Sequence, residues 1–197
     1  GFSVLLKPQG VATFEFPYLL NLVDESQFDT IYHEHFSYLS LTAVEHIFSA
    51  NGLQVFDVEE LSTHGGSLRI FAQRSDCGKH AVNSKVNELL IREINRGLCT
   101  ASYYAGFQIR AEKVKNDLLT FLLEAKNMGK TVAAYGAAAK GNTLLNFAGI
   151  RPDLIHFVVD RNPAKQDKFL PGCRIPIVAE GHLKQTQPDY VVILPWN

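Results

Sequence analysis

The stretch Thr131-Val132-Ala133-Ala134-Tyr135-Gly136-Ala137-Ala138-Ala139-Lys140-Gly141-Asn142-Thr143, with Val158-Val159-Asp160 beyond it, decides the fold class. Thr131 to Tyr135 is a short apolar run stopped by a glycine, which is a strand pattern. Helical spacing follows over about Asn142 to Ala148, then a second strand pattern at Ile155 to Val159 and a last one at Tyr190 to Leu194. Strand, turn, helix and strand in this order form a parallel βαβ signature and predict an α/β protein.

The turn inside that unit has chemistry of its own. Backbone N–H groups at the start of a helix point outward, small side chains let a ligand approach them, and Lys140 adds a cation, so the geometry favours an anion. The sequence is not a Walker motif, because Asn142 stands where that motif requires lysine, and it is not a Gly-x-Gly-x-x-Gly fingerprint. Asp160 lies 24 residues after Gly136, where a Rossmann-like unit holds a ribose hydroxyl. The competing reading is that the glycines only permit tight packing of strand on helix.

Upstream, Val11 to Phe16 alternates with period two after Lys7-Pro8-Gln9-Gly10 and reads as a strand, followed by a loop containing Asp24 to Gln27. Thr42 and Glu45 have capping-box spacing ahead of Ile47 and Phe48, with Gly52 placed to end the helix. Leu53 to Val58 and Gly66 to Ala72 read as two strands joined through Thr63-His64-Gly65-Gly66. Between 81 and 127 the apolar residues take helical spacing, which predicts two helices linking two sheet regions.

The formal net charge is -1 over 197 residues, so no basic footprint for nucleic acid or anionic lipid is present. No apolar stretch approaches the ~20 residues of a membrane span. Cys77, Cys99 and Cys173 are too scattered for a disulfide framework or a Cys-x-x-Cys zinc site, and a reducing cytoplasm is the expected compartment. The chain opens at Gly1 inside an apolar run and holds one methionine, Met128, so a piece of a longer protein is expected.

The densest polar cluster is Tyr32-His33-Glu34-His35, followed by Ser37-Tyr38. Histidine titrates near the pH where a general base works best, a carboxylate can orient it, and a phenol can donate to a developing oxyanion. The alternatives are a loop of solvated polar residues and a metal site; no third and fourth ligand follows His33 and His35 at a recognisable spacing. His64, taken alone, reads as a surface histidine in a glycine turn.

Leu6-Lys7-Pro8-Gln9-Gly10 ahead of Glu15-Phe16-Pro17 resembles the later half of a class I S-adenosylmethionine-dependent methyltransferase. Tyr32 to Tyr38, Thr63 to Arg69, Tyr135 to Thr143, Asp160-Arg161-Asn162-Pro163-Ala164-Lys165-Gln166, Leu170-Pro171-Gly172 and Ile193-Leu194-Pro195-Trp196-Asn197, in that order, are similar to the nucleotide-sugar C-methyltransferase family. The resemblance spans nearly the whole chain. It implies a partial class I methyltransferase sheet over residues 1–75, a helical connector over 76–128 and a Rossmann-like parallel-sheet domain for the nucleotide sugar over 129–197. The S-adenosylmethionine loop, and the zinc site of an N-terminal module, would lie upstream of Gly1. This chain alone would then be inactive, with no metal site of its own.

By the same resemblance His35 is the base, Glu34 its orienting partner or an alternate proton carrier, and Tyr32 a donor near the enolate or sugar oxygen. His33 and His64 fall to the substrate side. Gly136, Lys140, Gly141 and Asn142 are carried to the pyrophosphate or nucleotide end, with Asp160 at the ribose. The implied reaction is C-methylation of a nucleotide-linked keto sugar through an enolate. The alternatives are a nucleotide-sugar binding module without catalysis, the same scaffold with another small-molecule acceptor, and a nicotinamide oxidoreductase, disfavoured by the glycine spacing and the lack of a Tyr-x-x-x-Lys pair. The sugar, the nucleotide and the oligomeric state are left open by sequence.

Overall fold

A computed structural model describes residues 1–196; Asn197, which closes the last family motif, lies outside the described residues. The chain divides into two compact units, residues 1–27 with 36–107, and residues 28–35 with 108 onward. Both mix helix and strand, as an α/β reading requires.

In the first unit, α1 (Phe2–Leu5), β1 (Val11–Pro17), α2 (Leu19–Asp24), α3 (Leu41–Ala50), β2 (Leu53–Leu61), β3 (Ser67–Arg74), α4 (Ser84–Asn95) and α5 (Ala101–Tyr104) follow in order. The sheet has the order β1-β3-β2 and is antiparallel throughout, with Val11 opposite Gln73, Pro17 opposite Ser67 and a register shift in β2 between Val55 and Asp57. Period two puts Leu68, Ile70 and Ala72 of β3 in the core, where Leu41 and Val44 of α3 and Val86 and Leu89 of α4 are also buried.

Helix α3 starts earlier than its capping-box spacing predicts. Ser40 is the cap, its Oγ accepting from the Ala43 N–H at 3.0 Å. Thr42 sits inside the first turn because the buried Glu93 carboxylate of α4 accepts from the N–H groups of Leu41 (2.7 Å) and Thr42 (2.8 Å) and from the Thr42 hydroxyl. A carboxylate at a helix start satisfies exposed donors and opposes the positive end of the dipole. Gly52, with φ +71, follows this helix as expected. Ahead of the loop expected at Asp24 to Gln27 stands α2, which the sequence reading does not predict and whose Leu20, Leu22 and Val23 are buried.

The second unit holds α6 (Phe107–Asn127) apart from its first residue, then β4 (Val132–Tyr135), α7 (Ala139–Phe147), β5 (Val158–Val159), β6 (Lys168–Phe169), β7 (Pro176–Val178), α8 (Gly181–Thr186) and β8 (Tyr190–Ile193). The sheet order is β6-β7-β5-β4-β8; β8, β4, β5 and β7 run parallel, and β6 is antiparallel to β7. One core cluster joins Val132, Ala134 and Val158 to Leu122 and Ala125 of α6 and Leu145 of α7, and Ala133, Phe157 and Val159 pack in another with Leu183 of α8. The expected βαβ unit is present as β4-α7-β5, although the second strand keeps only Val158 and Val159 of its predicted span. The short β6, β7 and α8 fall in a stretch that carries no strong periodicity and were not anticipated.

The two connector helices do not form a unit of their own: α4 belongs to the first unit and α6, from Gln108, to the second. Likewise Phe28–His35 clusters with the second unit, whereas the sequence reading grouped it with residues 1–75. The reason is local: the Phe28 ring lies 5.1 Å from that of Phe147 in α7, and Asp29 is buried at 6% exposure.

Candidate functional site

The site is built where β4 ends and α7 begins. Gly136 has φ +86 and donates its N–H to the Val159 carbonyl at 2.8 Å. A Cβ at this position would lie 2.6 Å from Pro195 Cδ, and one at Gly141 would lie 2.6 Å from Leu194 Cβ. Both glycines therefore admit the residues that follow β8, which is the packing alternative rather than the ligand contact expected of them. Ala137, Ala138 and Ala139 line a cavity instead, and no side chain caps the N-terminus of α7.

Asp160 serves this turn. Its Oδ2 accepts from the Ala137 N–H at 2.7 Å and its Oδ1 from the Asn162 N–H at 2.8 Å, while Lys165 Nζ lies 3.4 Å from Oδ2 and donates to the Ala137 carbonyl at 2.7 Å. Burial pushes its carboxyl up, but the two backbone donors and the Lys165 charge outweigh that and hold it below the usual range. Both oxygens of Asp160 thus have partners from its own chain, which gives it a structural part in the turn.

The cavity measures about 520 Å³. Ala137 to Ala139 and Asn142 form one part of its lining, Lys165, Lys168, Phe169 and Leu170 another, and His33 and Glu34 a third. The two polar constellations of the sequence, over 100 residues apart in the chain, meet here within one compact unit. Lys168 and the exposed Phe169 were not singled out from sequence, because their strand is two residues long and its pairing with β7 is non-local.

Within the 28–35 segment, the His35 N–H closes a turn on the Tyr32 carbonyl at 3.0 Å, and the two rings pack at 4.4 Å with a 33° tilt. His35 Nδ1 donates to the Thr30 carbonyl at 2.9 Å. A carbonyl only accepts, so this contact places the ring proton on Nδ1 and the lone pair of the neutral imidazole on Nε2. The Nδ1 proton is thus held by the Thr30 carbonyl; the Glu34 carboxylate, for which the resemblance implies an orienting or alternate proton-carrying role, lies 4.0 Å from His33 Nε2, with both side chains largely exposed.

Lys140, expected at the pyrophosphate, is not among the residues that line the cavity. Its side chain is buried, its Nζ has no hydrogen-bond partner among the described residues and it lies 4.7 Å over the Trp196 ring. Burial lowers the pKa of this amine, against an opposing pull from Asp29. Trp196 Nε1 in turn donates to Asp29 Oδ2 at 2.6 Å. The pairing of Asp29 with Trp196 was not foreseen, because a buried aspartate looks like a surface one in sequence.

His64 belongs to the first unit, where it is exposed in the turn between β2 and β3 with φ 56. A second cavity of about 340 Å³ in that unit is lined by Glu59, Glu60, Lys85, Glu88 and Arg92, with Arg92 paired to Glu60 at 2.7 Å, and contains none of the expected residues. Among the described residues no group of three or more His, Cys, Asp or Glu side chains is arranged to hold a metal, and no helix is long and apolar enough to cross a membrane.

Residues 62–197 match the family model of the C-methyltransferase C-terminal domain. Over all 197 residues the chain is 41% identical to C-methyltransferase NovU of Streptomyces niveus, and it spans 47% of that relative's length.

Proposed function

Because the chain belongs to the C-methyltransferase C-terminal domain family, we propose that it supplies the base and the nucleotide seat of an S-adenosylmethionine-dependent C-methyltransferase acting on a nucleotide-linked keto sugar. The observation that carries this reading is the shared cavity. His33 and Glu34, which lie between Tyr32 and the proposed base His35, line the same space as the start of α7, Lys165 and Lys168, while Tyr32 and His35 stand beside them outside its lining.

In this reading the diphosphate lies against the α7 N-terminus and the two lysines, where N–H groups and ammonium charges stabilise an anion. Phe169 and Leu170 offer an apolar surface to the flat part of the nucleotide. The sugar then faces the 32–35 turn. His35 Nε2 removes a proton from the carbon beside the ketone, the C–H electron pair becomes the enolate, and the Tyr32 phenol donates to its oxygen. S-adenosylmethionine, when bound, supplies the electrophilic methyl group; its loop is assigned upstream of Gly1. Residues 1–75 are assigned to the end of the methyltransferase domain and 129–197 to a Rossmann-like domain.

A nicotinamide-dependent oxidoreductase built on β4-α7-β5 has less support, since Asp160 is engaged with Ala137 and Asn162 rather than open to a ribose. Calorimetry of the full-length protein with thymidine and uridine diphosphates tests the assignment: one should bind more tightly than its nucleoside. Equal binding of diphosphate and nucleoside would sink the phosphate seat.

A further inference from the structure

We propose that Trp196 and Asp29 are positioning residues, a clasp that fixes the His35-bearing turn against the start of α7. The proposal rests on the assignment of His35 as base.

Asp29 is buried, and the Trp196 N–H at 2.6 Å is a charge-assisted bond to its Oδ2. The same indole presents its face to the buried Lys140 ammonium, 4.7 Å away and without a hydrogen-bond partner among the described residues. Trp196 itself is 44% exposed, so the ring covers two buried charges from one side and links them. Carboxylate at its edge and ammonium over its face are complementary: donation from the indole N–H raises the electron density of the ring that the cation meets.

The clasp has a target. Asp29 is adjacent to Thr30, whose carbonyl accepts from His35 Nδ1, so a shift of Asp29 carries the base with it. Trp196 is held from the other side because Leu194 and Pro195 seat against Gly141 and Gly136. The packing of Phe28 on Phe147 tethers the same turn to the far end of α7. The Asp29 carboxylate is buried and already bonded to the Trp196 N–H, so its part is to hold the turn.

The test uses the full-length enzyme, with exchange of solvent deuterium into the carbon beside the ketone of a nucleoside-diphosphate ketohexose, measured without methyl donor. Trp196→Phe keeps a ring over Lys140 and removes the N–H; Asp29→Ala removes the acceptor and Asp29→Asn retains one. Trp196→Phe and Asp29→Ala should each slow exchange by about tenfold or more at saturating substrate while leaving KM nearly unchanged, since a misplaced base lowers the rate without weakening binding. Asp29→Asn should recover part of the loss. Wild-type exchange in both variants, or a loss seen only in KM, overturns the clasp. His35→Ala run in parallel separates the two readings: exchange that survives it removes the base assignment itself, whereas exchange lost in His35→Ala and intact in Trp196→Phe and Asp29→Ala removes the clasp alone.

Discussion

The Thr30 carbonyl accepts a hydrogen bond from His35 Nδ1 at 2.9 Å, and that contact between residues five apart sets which nitrogen of the ring can take a proton. Replacing His35 by Ala in the full-length enzyme should abolish deuterium exchange at the carbon beside the ketone while nucleoside-diphosphate affinity stays within about twofold, because base and phosphate seat are different groups. Persistent exchange would move the base elsewhere.

Lys168 lines the cavity, whereas Lys140 is turned toward Trp196. Lys168→Ala should weaken nucleoside-diphosphate binding by about tenfold, the loss of one charge-assisted hydrogen bond, and leave nucleoside binding little changed. Lys140→Ala should have the smaller effect on diphosphate. Calorimetry on the two variants would contradict this arrangement if their order were reversed.

Gly141 admits Leu194 where a Cβ would come within 2.6 Å. Gly141→Ala should cost roughly 1–3 kcal/mol as overpacking, read as a lower denaturant midpoint, even though alanine is the better helix former. A neutral or stabilised variant would mean that β8 and α7 shift apart without penalty.

Glu93 accepts three hydrogen bonds at the start of α3 with no exposure to solvent. Glu93→Ala leaves the Leu41 and Thr42 N–H groups without that acceptor and should cost on the order of 3 kcal/mol in chemical denaturation. A loss below about 0.5 kcal/mol would show that other acceptors replace it readily.

Asp189 ties the strand start at Thr131 to the entry of β8. Hydrogen bonds from the Thr131 N–H, Lys130 and the Thr131 hydroxyl hold its carboxyl down, from 3.8 to about 2. A depressed carboxylate stabilises the folded state above its unfolded pKa, and the contribution fades as pH falls through the folded value. The stability gap between wild type and Asp189→Asn should be full at about pH 6 and close between about pH 4 and pH 2. A gap independent of pH over that window would contradict the charge-based account.

Much of the fold is legible locally. The runs at β1, β3, β4 and β8 and the helical spacing of α4 and α6 appear within a few residues of their expected places, because each is a long or strongly patterned segment that carries its own periodicity. The two-residue β6 and the six-residue α2 and α8 have too few positions to show a period. The start of α3 was misjudged for a different reason: its first donors are met by Glu93, which lies 51 and 52 residues away in the chain.

The candidate site divides in the same way. Sequence alone determined the β4-turn-α7-β5 unit, the polar turn at Tyr32 to His35 and the family resemblance, since order and spacing along the chain carry all three. Only the tertiary structure decided that Asp160 satisfies Ala137, that Gly136 and Gly141 admit Pro195 and Leu194, and that Lys140 lies under Trp196 while Lys165 and Lys168 line the cavity. What a charged or polar side chain does depends on who desolvates it and who bonds it, and here those partners come from as far as 167 residues away.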